Sequence, residues 1–300
     1  MALAGSDASR SNVCNQDVVD TQCFDSRRFN CRNGGAQIAQ EAQLFSDGTA
    51  YEQFMGRWTR AVGTIFLDWL APRVDARWLD IGCGTGVFTE LIVSTCSPAT
   101  VVAIDPSEPQ IELARKKPIA ERADFRVADA QKLPFSDNAF DVIVSALTIN
   151  FISDPPQALG EMCRVCRSDG VIAGYVWDFA AQRGPASLIR DGLHQVGAEP
   201  PPTPGTKHSG LEALTSLFAR ANLTDIGSRT IDVMMSFADF NEFWRSQTPS
   251  YTSTGKMIAA LSETDREKVI DSVRARLPAS PDGRITYSAR ANAVKARALA

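Results

Sequence analysis

Gly82, Gly84 and Gly86 stand at every second position directly after the apolar residues Trp78, Leu79 and Ile81, with Asp80 set among them. Phe88, Leu91 and Ile92 then recur at helical spacing. A buried strand, a glycine turn and a helix start are the parts of a nucleotide-binding site. Glycine lets the backbone turn sharply and come close to a ligand, and the helix start offers free N–H groups and a positive dipole end. The dinucleotide fingerprint needs two residues between its second and third glycines. Here there is one, Thr85, which disfavours a nicotinamide oxidoreductase. Two further acids close apolar runs downstream. Val101–Ile104 ends in Asp105, where an acid grips ribose hydroxyls in such folds, and Asp124–Ala128 ends in Asp129 and Ala130. Taken alone, Asp105 before Pro106 reads as a turn residue and Asp129 as a strand-end cap. Taken in order after the glycine turn, both read as ligand-binding acids.

The pattern Asp80-x-Gly82-x-Gly84-x-Gly86 resembles motif I of the class I S-adenosylmethionine-dependent methyltransferases. Asp105, Asp129-Ala130, Leu133-Pro134-Phe135 and Phe140–Ser145 follow in that family's order, and the likeness is to its small-molecule, quinone-biosynthesis-like branch (methyltransferase type 11). The resemblance implies an α/β fold: a doubly wound, mostly parallel seven-stranded sheet with an antiparallel last strand at one edge and a helical lid. It implies S-adenosylmethionine as cofactor. The Gly82–Gly86 turn would then take the methionine portion, with Cys83 packed beneath it and Asp80 orienting the amino group. Asp105, followed by Pro106, would accept from the ribose, Asp129 and Ala130 would meet the adenine, and Leu147 would face the methyl donor. The stretch Tyr51–Trp58 is similar to the lead-in helix of many bacterial small-molecule methyltransferases, which puts Tyr51 and Arg57 over the cofactor.

Methyl transfer from a sulfonium is an in-line displacement in which the protein binds, aligns and excludes water. Candidates for a general base are few. Of the two histidines, His194 reads as a helix-surface residue, while His208 ends a proline-rich connection that a lid could carry over the site. Tyr175 and Asp178 flank the end of another strand, and Asn150 is placed to position a polar acceptor. An acceptor that deprotonates readily needs no base. The acceptor reads as a small, partly apolar metabolite methylated on O, N or C. The alternatives are a protein or RNA acceptor, or a non-catalytic cofactor-binding protein.

These residues need a scaffold, and the sequence spells one out. Residues 1–46 are polar and aperiodic and read as a disordered extension. Tyr51, Phe54, Trp58, Val62, Phe66, Trp69 and Leu70 recur every three or four residues, as one helix or two in succession over 47–72. From 73 onward, strands 100–105, 123–128, 140–146 and 171–176 alternate with helices 86–95, one capped by Ser107, and 155–166, the pattern of a parallel sheet covered on both faces. Lid insertions are expected at about 178–208, with a helix Ala186–Val196, and at about 236–280. Ser209 caps the next helix, 225–235 fits a strand, Phe237 to Trp244 forms an aromatic helical stripe, and 284–291 alternates as the last strand.

With 300 residues, 44% hydrophobic and 22% charged, the chain has the composition of an ordinary globular protein. A net charge of −4 argues against a duplex-binding face. No apolar run approaches bilayer length, so a cytoplasmic monomer or homodimer with reduced thiols is expected. Cys163-x-x-Cys166 lies on a helical pattern without a second pair at zinc spacing, and no metal is expected.

Overall fold

The structure, a computed structural model, describes residues 48–250, 252–277 and 280–299, with side chains described from Met55 onward. The expected extension 1–46 and the side chain of Tyr51 lie outside the described residues. The amphipathic lead-in is a single helix, α1 (Gly48–Leu70). It buries Met55, Trp58, Val62, Phe66 and Leu70 on one face. Then follow β1 (Arg77–Ile81), α2 (Val87–Thr95), β2 (Thr100–Asp105), α3 (Glu108–Arg115), β3 (Asp124–Val127), β4 (Phe140–Ala146), α4 (Pro155–Val165) and β5 (Cys166–Trp177). The second half comprises α5 (Ser187–Gln195), α6 (Leu211–Ala219), β6 (Thr224–Phe237), α7 (Phe240–Gln247), α8 (Ser253–Ala260), α9 (Glu263–Ala275) and β7 (Ile285–Arg297).

All seven strands form one sheet in the order β3-β2-β1-β4-β5-β7-β6. β1 to β5 pair in parallel. β7 is antiparallel to both its neighbours, slotted between β5 and β6, so the edge expected for the antiparallel strand belongs to β6. Side chains alternate between two apolar layers, as a sheet buried on both faces requires. Trp78, Val144 and Tyr175 enter the layer under α1 and α2, while Leu79, Ile143 and Ile172 enter the layer under α4 and α6. A Cβ at Gly63 of α1 would lie 2.8 Å from Leu91 and 3.0 Å from Phe88, so this glycine lets α1 and α2 approach closely. α5 and α9 pack on one another: Val269 of α9 lies 3.0 Å from where a Cβ of Gly192 on α5 would stand.

Several sequence expectations shift once long-range contacts are present. β5 starts at Cys166, within the expected helix 155–166, and runs through Ser168, Asp169 and Gly170, residue types that favour a turn. Asp169 takes a left-handed φ of 59° while its N–H donates to Ala298 O, and Ala298 N–H donates to Gly170 O. Pairing with the chain after β7 thus carries the strand through residues whose local chemistry says turn. Cys166 accordingly opens β5 instead of ending a helix, and Cys163 alone of the pair is helical. Ser209 is not the cap of α6, which starts after Gly210; its hydroxyl donates to Thr206 O. Ser107 precedes α3 without a side-chain capping bond. Phe237 closes β6, and the aromatic helix begins at Phe240. β6 and β7 stay paired out to Phe237 and Ile285, six residues of β7 beyond the last β5 pair, Trp177 with Ala291. This projecting ribbon carries Phe237 and Tyr287 to Phe243 of α7 and Trp58 of α1, at ring separations of 5.2 to 6.1 Å. No helix among the described residues is long and apolar enough to cross a membrane.

α1 ends on Ala71, at φ 47° with its N–H donating to Leu67 O. Glycine is the residue this left-handed cap favours, because it has no Cβ to crowd the carbonyl. Ala71→Gly is expected to stabilise the protein by about 0.5–1 kcal/mol, the relieved strain outweighing the added unfolded-state entropy. A melting curve checks it: a rise of about 2 °C is expected, and a fall would contradict the strain.

Candidate functional site

The strand order reverses between β1 and β4, and in open parallel sheets ligands bind beyond the carboxyl ends of the strands at that point. A cleft of about 590 Å³ opens there. Its floor is the glycine turn between β1 and α2. Gly82, Gly84 and Gly86 have φ of 74°, 54° and 84°, so all three need the left-handed freedom that glycine alone offers at little cost. The reasons for lacking a side chain differ. A Cβ at Gly82 would collide with Thr148, whose hydroxyl donates to Gly82 O at 3.1 Å. A Cβ at Gly86 would press on Phe125 at 2.9 Å. At Gly84 the space is open enough for a Cβ, and its N–H points to Asp105.

Asp105 braces the turn. Its Oδ2 accepts from Gly84 N–H at 3.0 Å and its Oδ1 from Ser107 N–H at 2.9 Å. Burial pushes its pKa up against these two bonds. It lines the cleft with Pro106, and each carboxylate oxygen retains acceptor capacity for a ligand hydroxyl. Asp80 lies behind the turn, fully buried on β1. Its Oδ2 accepts from Thr89 Oγ1 at 2.7 Å, and its Oδ1 has no partner among the described residues. Burial pushes its pKa up to about 7, the Thr89 bond opposes this, and the charge of Asp105 adds to it. Cys83 is buried in the turn, where desolvation and the two carboxylates drive its thiol pKa well up, so it stays a thiol.

Asp129 and Ala130 line the opposite wall. Asp129 is exposed and accepts from Gln131 N–H at 2.8 Å. Gln131 went unnoticed in the sequence, yet its Oε1 accepts from Ser153 Oγ and Asp154 N–H, both at 3.0 Å, tying the loop after β3 to the loop after β4. Leu147 follows β4 at φ 60°, held by its N–H donating to Tyr175 O at 2.7 Å, and lines the cleft with Thr148 and Phe151. Met55, Gly56 and Thr59 of α1 supply a further wall, as do Phe88 and Gln110. Their signal in the sequence is only that they flank recognised motifs.

Other expected site residues stand elsewhere. Arg57 points away from the cleft: it donates to Glu242 Oε1 at 3.1 Å and to Ser236 O at 3.0 Å, and lies over the ring of Phe237. One step round the helix from Gly56 turns it toward β6 and α7. Tyr175 is fully buried between Phe66 and Phe88, at ring distances of 4.8 and 5.7 Å, on the face of β5 beneath α1, so it does not reach the cleft. His208 sits half-buried in a 3-10 turn, Thr206–His208, outside the cleft lining. Burial and Lys207 lower its pKa, which favours the neutral imidazole. Asp178 caps its own loop by accepting from Ala181 N–H at 3.0 Å. Asn150 is buried in the 3-10 turn Ile149–Phe151, next to cleft residues but not among them. A second hollow, of about 250 Å³, lies near the carboxyl ends of α1 and α2, at the other end of the strands from the glycine turn. Among the described residues no group of three His, Cys, Asp or Glu is arranged to hold a metal.

The cleft suits an elongated ligand bearing hydroxyls and a cation. Glycine surface lines its floor, Asp105 stands at its side, and behind the floor Asp80 Oδ1 has no partner among the described residues. Comparison with known proteins agrees. Residues 79–174 match a family described as a methyltransferase domain. The chain is 34% identical over 139 residues to a ubiquinone/menaquinone biosynthesis C-methyltransferase of Dinoroseobacter shibae, covering 45% of this chain and 55% of that one. It is 35% identical over 149 residues to a biotin biosynthesis bifunctional protein of Cellvibrio japonicus, covering 49% and 28%. The chain thus spans about half of one of these relatives and less than a third of the other. A Haemonchus contortus phosphoethanolamine N-methyltransferase solved with S-adenosyl-L-methionine shares the fold, with a TM-score of 0.53 at 18% identity, over 84% of this chain and 57% of that one. Motif, strand order and domain match together give residues 79–174 the likeness of a methyltransferase domain.

The buried acid has a consequence for stability. The folded-state pKa of Asp80 lies above its ordinary 3.8, so between about pH 4 and pH 7 the folded protein binds more protons than the unfolded chain. Stability attributable to this group is therefore highest at low pH and falls as pH rises through 7; Asp105, shifted the same way, adds to the trend. Asp80→Asn keeps an acceptor for Thr89 and removes the charge. Thermal melts at pH 5 and pH 8 should show the variant gaining on the parent as pH rises, by a few kcal/mol at most. A gap independent of pH would contradict the shift.

Proposed function

We propose that this chain binds S-adenosylmethionine in the cleft and transfers its methyl group to O, N or C of a small, partly apolar metabolite. The observation that carries the reading is the glycine turn braced by Asp105, with Asp80 behind it, whose Oδ1 has no partner among the described residues. The cofactor supplies an electrophilic methyl on a sulfonium, so the chain's own work is binding, alignment and exclusion of water. The turn and Asp80 would hold the amino-acid portion, whose ammonium offers the counter-charge that Asp80 lacks. Asp105 would accept from the ribose hydroxyls, and Asp129 with Ala130 would meet the adenine. Leu147 and Phe151, with Met55 of α1, would wall the space beside the methyl. Among the described residues that line the cleft there is no histidine or tyrosine, and an acceptor that deprotonates readily needs no base. The quinone C-methyltransferase likeness supports a small-molecule acceptor, and a net charge of −4 supports it over a nucleic acid.

Titration calorimetry tests the reading. S-adenosylhomocysteine should bind and NAD should not, at matched concentrations. Asp105→Ala should weaken S-adenosylhomocysteine by about tenfold or more, since charge-assisted hydrogen bonds to two hydroxyls are lost and the glycine turn loses its brace. Tight NAD binding without S-adenosylhomocysteine binding would overturn the assignment, and unchanged affinity in Asp105→Ala would remove Asp105 from it.

A further inference from the structure

Asn150 is 3% exposed, and neither Oδ1 nor Nδ2 of its carboxamide has a hydrogen-bond partner among the described residues. Buried amides are almost always satisfied, because water is lost and nothing replaces it otherwise. The residue is the middle of the turn Ile149–Phe151, and the residues flanking it, Leu147, Thr148 and Phe151, line the cleft. A strap of chain lies across it. Gly205, at φ 69°, sits so close that a Cβ there would collide with the Asn150 carbonyl and stand 3.0 Å from the Asn150 Cβ. The strap is tied at its two ends. Arg190 of α5 donates to Pro201 O at 2.7 Å, and at the far end Ser209 Oγ accepts from Ala180 N–H at 2.9 Å while Ser209 O accepts from Asn292 Nδ2 at 2.7 Å. Between these ties the segment over Asn150 carries a left-handed glycine.

We infer that Asn150 is the polar anchor for the methyl acceptor, taking an uncharged hydroxyl or carbonyl group of an otherwise apolar molecule, and that the strap at Gly205 lifts to admit it. This rests on the proposal of methyl transfer in the cleft. A carboxamide pairs one donor and one acceptor without net charge, which matches a hydroxyl or carbonyl. A charged group sealed at this depth would need a counter-charge; on the strap above, Lys207 is exposed and His208 is held toward its neutral form. The apolar body would lie against Leu147, Phe151 and Met55, side chains already bordering the cleft. Asn150 acts here by positioning the acceptor, with no part in proton transfer.

Matched probes separate this role from a purely structural one. 2-Naphthol and naphthalene are titrated into the full chain saturated with S-adenosylhomocysteine, for the parent and for Asn150→Leu. The parent is expected to favour the naphthol by about tenfold or more, since a site built to hydrogen-bond a hydroxyl rejects the analogue lacking it. Asn150→Leu should bind the two within about twofold, keep its S-adenosylhomocysteine affinity, and melt no lower than the parent, because the leucine removes an unpaired buried amide. Naphthol preference intact in Asn150→Leu, no preference in the parent, or no naphthol binding would each overturn the inference. A lowered melting temperature with preference intact would assign Asn150 to the scaffold. A parent that fails to bind S-adenosylhomocysteine would instead refute the cofactor reading on which the inference stands.

Discussion

Two carboxylates, the fully buried Asp80 and the half-buried Asp105, flank a glycine turn, and among the described residues neither has an ion-pair partner. Taking a carboxylate out of water without a counter-ion is costly, and proteins respond by hydrogen-bonding it or leaving it protonated. Both responses are present. Asp105 receives two backbone N–H groups, one of which can reach it only because Gly84 turns through left-handed space. Asp80 receives one hydroxyl and is pushed toward the neutral acid. The conformation of the turn and the protonation of the acids are therefore one problem.

The sheet exists, in this light, to hold that pair. β1 and β2 run parallel in register from Arg77 with Thr100 to Ile81 with Ile104, which sets Asp80 and Asp105 at adjoining strand ends. Gly82 and Cys83 N–H both donate to Ile104 O, stitching the turn to the neighbouring strand. Thr148, beyond β4, fills the space that a Gly82 side chain would need. α1 closes the cleft from above, and Gly63 lets it descend onto α2. The β6–β7 ribbon continues past the sheet to set Tyr287 edge-on against Trp58 of α1, so the α1 side of the site is fixed by long-range packing rather than by the motif itself.

What was legible in the sequence was local. The glycine spacing, the acids closing Val101–Ile104 and Asp124–Ala128, and the alternation of strand and helix through β5 all depend on neighbours within a dozen residues, and the structure places them in that order. What was not legible depends on contacts across the chain. Arg57 is one helical step from Gly56, and only the docking of α1 on β6 decides that it meets Glu242 instead of the cleft. Tyr175 shares a strand with residues near the site, but register puts its ring beneath α1. The passage of β5 through Asp169 and Gly170 depends on the Ala298 backbone, more than a hundred residues away. The strap over Asn150 is anchored by Arg190, Ala180 and Asn292, three contacts that no periodicity announces.

If the acids flanking the turn await a cation, ligand binding must release protons. Titration of the full chain with S-adenosylhomocysteine at pH 7, in two buffers of different ionisation enthalpy, measures this directly. Asp80, with a pKa of about 7 when the cleft is free, should lose roughly half a proton per site as the ligand's ammonium arrives. Asp80→Asn should bind with no such release. Binding by the parent with no proton exchange would contradict the claim that an unpaired buried carboxylate is the feature around which this site is built.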